Sequence, residues 1–223
     1  MAATVLEFKN VSKTYYGISE MQALSDITLE IAPGAFASLV GPSGSGKTTL
    51  LNLAAGLDRA TSGEIFIDGQ QISRLSPAEL SRFRRDRLGF IFQSYNLLPL
   101  LTVQENVEFV SILRNENPKE ARSRASEALE RVGLASKSAQ FPNQLSGGQQ
   151  QRVAVARAIA ARPALILADE PTANLDTKTA LQLIDLFEAL NKELKMTFLF
   201  STHDHRLLHR TLHQIELQDG RLK

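Results

Sequence analysis

No cysteine occurs among the 223 residues, which excludes a disulfide framework and a thiolate metal site and fits a reducing compartment. An excess of charge of one sign is also missing. Lys+Arg 25 against Asp+Glu 24 leaves no global field to draw in nucleic acid or anionic lipid. The local run Arg82, Arg84, Arg85 and Arg87 therefore reads as a solvated helix face. Long apolar runs are lacking too. Leu97 to Val103, broken by Pro99 and Thr102, is far too short to span a bilayer. The start, Met1-Ala2-Ala3-Thr4-Val5, has neither a basic segment nor an apolar core, so no signal peptide is expected. Any membrane role is expected to come through a partner. What remains is an ordinary globular composition, 43% hydrophobic and 22% charged, at a length that suits one large domain or one with an embedded lobe.

Against that background one stretch stands out. Gly41-Pro42-Ser43-Gly44-Ser45-Gly46-Lys47-Thr48 fits G-x-x-x-x-G-K-[ST] at every fixed position. A chance match in a chain this long is on the order of one in a hundred at average residue usage. The flanks lower those odds. Phe36 to Val40 reads as a short buried strand, and Thr49 to Ala55 as a helix ended by Gly56. Glycines let successive N–H groups turn inward around phosphate oxygens, and the helix start adds unpaired donors and partial positive charge. Gly41, Ser43, Gly44, Ser45, Gly46, Lys47, Thr48 and Thr49 are thus the candidate phosphate-binding residues. Lys47 is expected to reach the β- and γ-phosphates, and the Thr48 hydroxyl to ligate Mg²⁺.

The elements around this loop have an order. Val5 to Val11 and Ile27 to Ile31 alternate apolar and polar residues. Asp68-Gly69 marks a hairpin between Glu64–Ile67 and Gln70–Ile72. Leu88 to Phe92 looks like a buried strand ending at Gln93. The middle is helical: Ser76-Pro77-Ala78-Glu79 and Thr102-Val103-Gln104-Glu105 are capping boxes, Asn117-Pro118 opens another helix, and Gly133 closes it. Ala164–Ala168, Lys178–Glu193 and Met196–Ser201 then read as strand, helix, strand. Such alternation implies a parallel sheet covered on both faces, with the phosphate loop at its carboxyl edge.

Two further clusters carry chemistry. The apolar strand 164–168 ends in Asp169-Glu170, at the edge where the phosphate loop opens. Asp169 is suited to hold Mg²⁺, directly or through water. Glu170 is suited to deprotonate a water attacking the γ-phosphate, a contribution of about 10²- to 10⁴-fold. Leu145-Ser146-Gly147-Gly148-Gln149-Gln150-Gln151-Arg152 is the most discriminating feature. Ser146 is a good N-cap, and Val153, Ala156, Ile159 and Ala160 form an apolar helix face. Two glycines in the first turn cost roughly 1 kcal/mol each against alanine. The expectation is that they let backbone N–H groups approach an anion.

With these motifs together the chain resembles the ATP-binding cassette (ABC) ATPases, from about Leu6 to Gly220. The family's phosphate loop matches residues 41–48, its Q-loop glutamine Gln93, and its LSGGQ signature residues 145–149. Its Asp-Glu strand end matches Asp169 and Glu170, its D-loop resembles Asn174-Leu175-Asp176, and its switch histidine matches His203. An aromatic normally stacks on adenine near the N-terminus, where Tyr15 fits best and Tyr16 competes. The resemblance implies an α/β P-loop NTPase (RecA-like) core with a parallel sheet. It adds an N-terminal antiparallel β-subdomain and a helical subdomain, at about 95–160, embedded in one domain spanning 1–223. It further implies ATP and Mg²⁺ as ligands and ATP hydrolysis as the reaction.

In this family two such domains pack head to tail, with each ATP between one phosphate loop and the partner's signature helix. Ser146, Gly147, Gly148 and Gln149 would then serve the other copy's nucleotide, and Asp176 would lie near it. Gln93 would sense Mg²⁺ and the attacking water, and His203 would hold the attack geometry. His205, His209 and His213 read as surface residues. Three classes of function follow: a transporter's energising subunit, a soluble cassette ATPase on DNA or ribosomes, and a regulatory ATP-binding module. Residues 49–168 hold only a compact lobe, the chain has one cassette, and Glu170 and the signature are intact, which favours the transporter. Fractionation discriminates, because the first class sediments with membranes and an integral permease, and the others with nucleic acid or neither.

Residues 84–93, residues 95–107 and the triple glutamine look like the lipoprotein-releasing and macrolide-export branch, in which ATP-driven dimerisation moves extracytoplasmic parts of a permease. This places the subunit at the cytoplasmic face of the inner membrane. Leu97 to Leu101 is the expected permease contact. Ala173-Asn174 departs from some relatives and is expected to be tolerated. The chain stops at Lys223, and no carboxyl-terminal regulatory domain is expected.

Overall fold

The computed structural model describes residues 4–17 and 19–223. Residues 1–3, on which the reading of the N-terminus partly rests, lie outside them, as does Ile18. β1 (Leu6–Tyr15) and β2 (Met21–Ile31) pair antiparallel, Leu6 opposite Ile31 and Phe8 opposite Leu29. Both run longer than the alternation alone marks, because polar Ser12, Lys13 and Thr14 continue the ladder. β3 (Phe36–Val40) leads through the phosphate loop into α1 (Lys47–Ala54), which begins two residues before the expected Thr49. β4 (Ser62–Ile67) and β5 (Gln70–Gln71) form the Asp68-Gly69 hairpin, with both turn residues at positive φ and Ile72 already in a short 3₁₀ turn. These strands make a four-stranded sheet in the order β2-β1-β4-β5.

α2 (Pro77–Arg87) precedes β6 (Leu88–Ile91). Then come α3 (Val103–Leu113), α4 (Pro118–Arg131) and α5 (Gly147–Ala160), before β7 (Leu165–Asp169). The capping boxes of Ser76 and Thr102 both form, and Asn117 caps the backbone of Lys119. α6 (Thr177–Leu194), β8 (Phe198–Ser201), α7 (His205–Leu208), β9 (His213–Gln218) and β10 (Arg221–Leu222) complete the chain. The second sheet has the order β10-β9-β3-β8-β7-β6, parallel from β9 to β6 with an antiparallel edge at β10.

Two apolar cores result. One joins Leu6, Phe8, Leu24 and Ile27 of the antiparallel sheet to Leu50 and Leu53 of α1. The other joins α3, α4 and α5 to α6 and the far face of the parallel sheet, where Phe36, Phe187, Phe198 and Phe200 pack ring against ring. Each such side chain contributes roughly 1.5–3 kcal/mol by burial. Among the described residues, no helix is long and apolar enough to cross a membrane.

The basic run on α2 is not a plain solvated face. Arg84 donates to the carbonyl of Gly56, Arg85 to that of Leu113, and Arg87 pairs with Asp68 of the β4–β5 hairpin, so three of the four arginines fasten the helix to its neighbours.

Candidate nucleotide site at the carboxyl edge of the sheet

β3 exits into the glycine loop at a point with no room for side chains. A Cβ on Gly41 would lie 2.1 Å from the carbonyl oxygen of Leu217, and one on Gly46, at φ +103°, 2.8 Å from that of Ala23. The loop is thereby seated on β9 and on the antiparallel sheet. α1 opens at Gly46 with no side-chain cap and no acidic residue in its first turn, which leaves its N–H groups and dipole for an anion. Lys47 Nζ donates to the loop carbonyls of Gly41 (2.7 Å) and Pro42 (2.9 Å), which holds the charge over the loop. Ser43, Gly44 and Thr48 are exposed, Thr49 is half-buried, and Ser45 is buried with its hydroxyl unpartnered. Ser45 therefore shapes the loop from beneath, as its carbonyl accepts from Gly220.

Register brings the other groups to the same edge. Ile91 pairs with Ala168, Asp169 with Ser201, and Leu39 with Ser201 on the other side. Gln93, Asp169-Glu170, His203 and the phosphate loop thus leave the sheet side by side. Burial raises the pKa of Asp169, and Glu170 adds to that; a hydrogen bond from Ser201 and the charge of Lys47 pull it back. Glu170 sits at φ +45°, a left-handed conformation that costs a non-glycine residue about 1–2 kcal/mol. Its Oε1 lies 2.7 Å from His203 Nδ1, and its Oε2 accepts from Thr202 Oγ1 at 3.2 Å. His205, His209 and His213 are exposed.

Further residues hold these loops, and no local pattern marks them. Asp204 accepts from Thr172 Oγ1 and from three nitrogens of Arg206, which tie the segment after β7 to the segment after β8. The Arg206 hydrogen bonds, partly opposed by burial, hold the Asp204 carboxyl down at about 2. Asn174 donates to the carbonyl of Gln93 at 3.2 Å, which links two loops at the edge. Arg157 on α5 donates to the carbonyls of Tyr95 and Asn96, both at positive φ. A polar residue about three turns into an apolar helix is easily read as exposed; its partners are 61 and 62 residues away.

Ser146 and Gln149 form a reciprocal capping box. The three glutamines have separate partners: Gln149 takes the Ser146 N–H, Gln150 donates to Leu145, and Gln151 donates to Pro171 beside Glu170. The two glycines also answer a steric demand within the chain. A Cβ on Gly147 would stand 2.9 Å from the Tyr95 hydroxyl, and one on Gly148 2.2 Å from Thr179 Cγ2. Asp176 caps α6 through Thr179. Tyr15 is 37% exposed and Tyr16 70%. The Tyr15 hydroxyl donates to Asp58 and Lys13 lies over its ring, whereas Tyr16 projects past the strand end.

Leu97 to Leu101 is only partly a surface. Leu97 packs into the second core, Asn106 holds both backbone groups of Leu98, and Pro99 and Leu100 are exposed, Leu100 to 88%. Phe90, Phe92, Phe109 and Leu113, with Asn96 just before this segment, line a groove of about 290 Å³. Another cavity, about 370 Å³, lies at the amino ends of β7 and β8, where Arg131, Arg162 and Lys195 answer helix C-termini. It is not the nucleotide site.

A family model described as ABC transporter matches residues 24–173. The chain belongs to the ABC transporter family. It is an ATP-binding, ATP-hydrolysing subunit of that family, and the matched segment holds the phosphate loop, Gln93, the signature helix and Asp169-Glu170. An uncharacterized ABC transporter ATP-binding protein of Thermotoga maritima is 45% identical over 98% of this chain and 94% of its own length. The lipoprotein-releasing system ATP-binding protein LolD of Alcanivorax borkumensis is 43% identical over 98% and 96%. The dimeric structure of the cassette MJ0796, a Methanocaldococcus jannaschii protein, in a post-hydrolysis state with ADP and phosphate superposes with TM-score 0.88. It is 44% identical and covers 98% of this chain and 96% of that one. These ABC relatives extend past residue 173 and so span Asp176 and His203 as well.

Proposed function

We propose that two copies of this chain pair head to tail around two ATP molecules, and that hydrolysis drives mechanical work by a permease of the lipoprotein-releasing and macrolide-export kind. One observation carries the pairing. The phosphate loop is seated on the antiparallel sheet and β9, whereas the start of α5 is seated on Tyr95 and on Thr179 of α6, the two helices packing together in the other core. A second copy can lay its Ser146, Gly147, Gly148 and Gln149 on the phosphates that the first copy's loop holds. Such pairing matches the dimeric state named for the MJ0796 structure.

Within each half-site, residues 41–49 cradle the phosphates, and Lys47 supplies the counter-charge. Tyr15 is the platform for adenine, since Asp58 and Lys13 fix its ring. Thr48, Asp169 and Gln93 provide the hard oxygen donors that suit Mg²⁺ alongside phosphate oxygens and water. Mg²⁺ held by these residues would supply counter-charge to the phosphates. Glu170 takes a proton from the attacking water, and His203 orients Glu170 and the γ-phosphoryl group. The water oxygen bonds to γ-phosphorus, the bond to the β-bridging oxygen breaks, and ADP and phosphate leave.

The groove walled by Phe90, Phe92, Phe109 and Leu113, with Asn96 at its edge leading into Leu97 to Leu101, is the permease's docking place. It adjoins the loop that carries Gln93, so occupancy and catalysis share one loop. The subunit then sits peripherally at the cytoplasmic face of the inner membrane. Glu170→Gln tests the core of this reading: with ATP and Mg²⁺ it should sediment as a dimer holding two ATP. A monomer with bound ATP would reject the pairing.

A further inference from the structure

We propose that Thr179 is a positioning residue for the signature helix: held by Asp176, its methyl group sets where Gly148 and the first turn of α5 stand. The geometry is steric on one side and polar on the other. A Cβ on Gly148 would lie 2.2 Å from Thr179 Cγ2, while Thr179 Cβ and Oγ1 would be at 3.6 and 3.8 Å, ordinary contact distances. One methyl group therefore accounts for the whole obstruction. That methyl has a fixed place, because Asp176 receives both the Thr179 N–H (3.0 Å) and its hydroxyl (2.5 Å). With two groups of Thr179 bound to one carboxylate, χ1 is locked and Cγ2 is aimed at α5.

The signature helix is built to be placed this way. Its capping needs are met internally by Ser146 and Gln149, so its position is set by what it rests on. Thr179 supports it at Gly148, and the Tyr95 hydroxyl closes the Gly147 side. Asp176 stands six residues after Glu170. A shift of the segment after β7 on hydrolysis would pass through Asp176 and Thr179 to Gly148. The glycine at 148 is thus demanded from within its own chain, in addition to any demand from the nucleotide across the dimer.

The inference rests on the reading that the α5 start serves ATP, and the test separates the two. Steady-state ATPase of the purified chain is measured for Gly148→Ala, Gly148→Ala/Thr179→Ser and Gly148→Ala/Thr179→Val, with melting curves for each. Gly148→Ala should lower kcat at least about tenfold. Serine keeps the hydroxyl for Asp176 and deletes Cγ2, so Gly148→Ala/Thr179→Ser should recover to within about threefold of wild type. Valine keeps the methyl, and that double variant should stay impaired. Thr179→Val alone, which folds without the alanine, should lower kcat about three- to tenfold at unchanged KM for ATP. A Gly148→Ala/Thr179→Ser variant as inactive as Gly148→Ala, or wild-type kcat in Thr179→Val, would overturn the role of Thr179. Wild-type turnover in Gly148→Ala would instead overturn the reading of α5 as part of the ATP site, and the inference with it.

Discussion

Glu170 Oε1 and His203 Nδ1 are 2.7 Å apart, so the carboxylate proposed as the base is bound to the loop leaving the neighbouring strand. Thr202 holds its other oxygen, and the two contacts leave the carboxylate one orientation. His203→Ala should free that group to rotate. Turnover should fall about 10- to 100-fold, a part of the 10²- to 10⁴-fold a positioned base supplies. ATP affinity should stay within about threefold of wild type. Nucleotide titration beside single-turnover hydrolysis checks the split.

The backbone at Glu170 is the second consequence. At φ +45° an L-residue crowds its own Cβ against the following carbonyl, and glycine does not. Glu170→Gly and Glu170→Ala both delete the carboxylate and differ only there. Glycine should be the more stable by about 1 kcal/mol, or roughly 2–4 °C in melting temperature for a chain of this length. Both should lack steady hydrolysis. Equal melting temperatures would remove strain from the account of this position.

Much of this edge was legible in the residues. Residues 41–48 fix a loop because only glycine fits at Gly41 and Gly46, and Asp169-Glu170 follows an apolar run that can only be a buried strand. The caps of Ser76, Thr102 and Ser146 are local, three residues from their partners, and so appear in any reading of the chain. Arg157, Asn174, Asp204 and Thr179 are different. Arg157 meets Tyr95 62 residues away, and Asn174 meets Gln93 81 residues away, in pairings that no periodicity carries. The split role of Arg82 to Arg87 has the same cause: which arginine bonds a distant carbonyl depends on how α2 packs, not on its composition. Leu97 to Leu101 shows the converse, since a leucine-rich loop reads alike whether its leucines face solvent or core.

Lys47 is held by two carbonyls of its own loop, at 2.7 and 2.9 Å. Lys47→Ala removes both the counter-charge for phosphate and this clamp. ATP affinity should fall about 10- to 100-fold, the weight of one or two charge-assisted hydrogen bonds. Lys47→Arg should recover only part, because a planar fork does not match the place of a compact ammonium. Equilibrium binding of a fluorescent ATP analogue measures both, and unchanged affinity in Lys47→Ala would contradict the assignment.

Asp204 gives the molecule an acid limit of its own. Its carboxyl is held at about 2 in the folded chain against an ordinary 3.8, so folding favours the ionised form. The stabilisation is therefore complete above about pH 4 and disappears as pH falls through about 2. The side chain is partly open to water, which reduces the contribution to about 1–2 kcal/mol. Asp204→Asn keeps the shape and deletes the charge. It should be less stable than wild type by that amount at neutral pH, and the two melting curves should converge as pH drops from 4 to 2. Because Asp204 joins Thr172 to Thr202, between the strands that carry Glu170 and His203, the variant should also lose turnover before it loses fold. A stability difference that persists at pH 2 would show that the asparagine acts through packing and not through the charge.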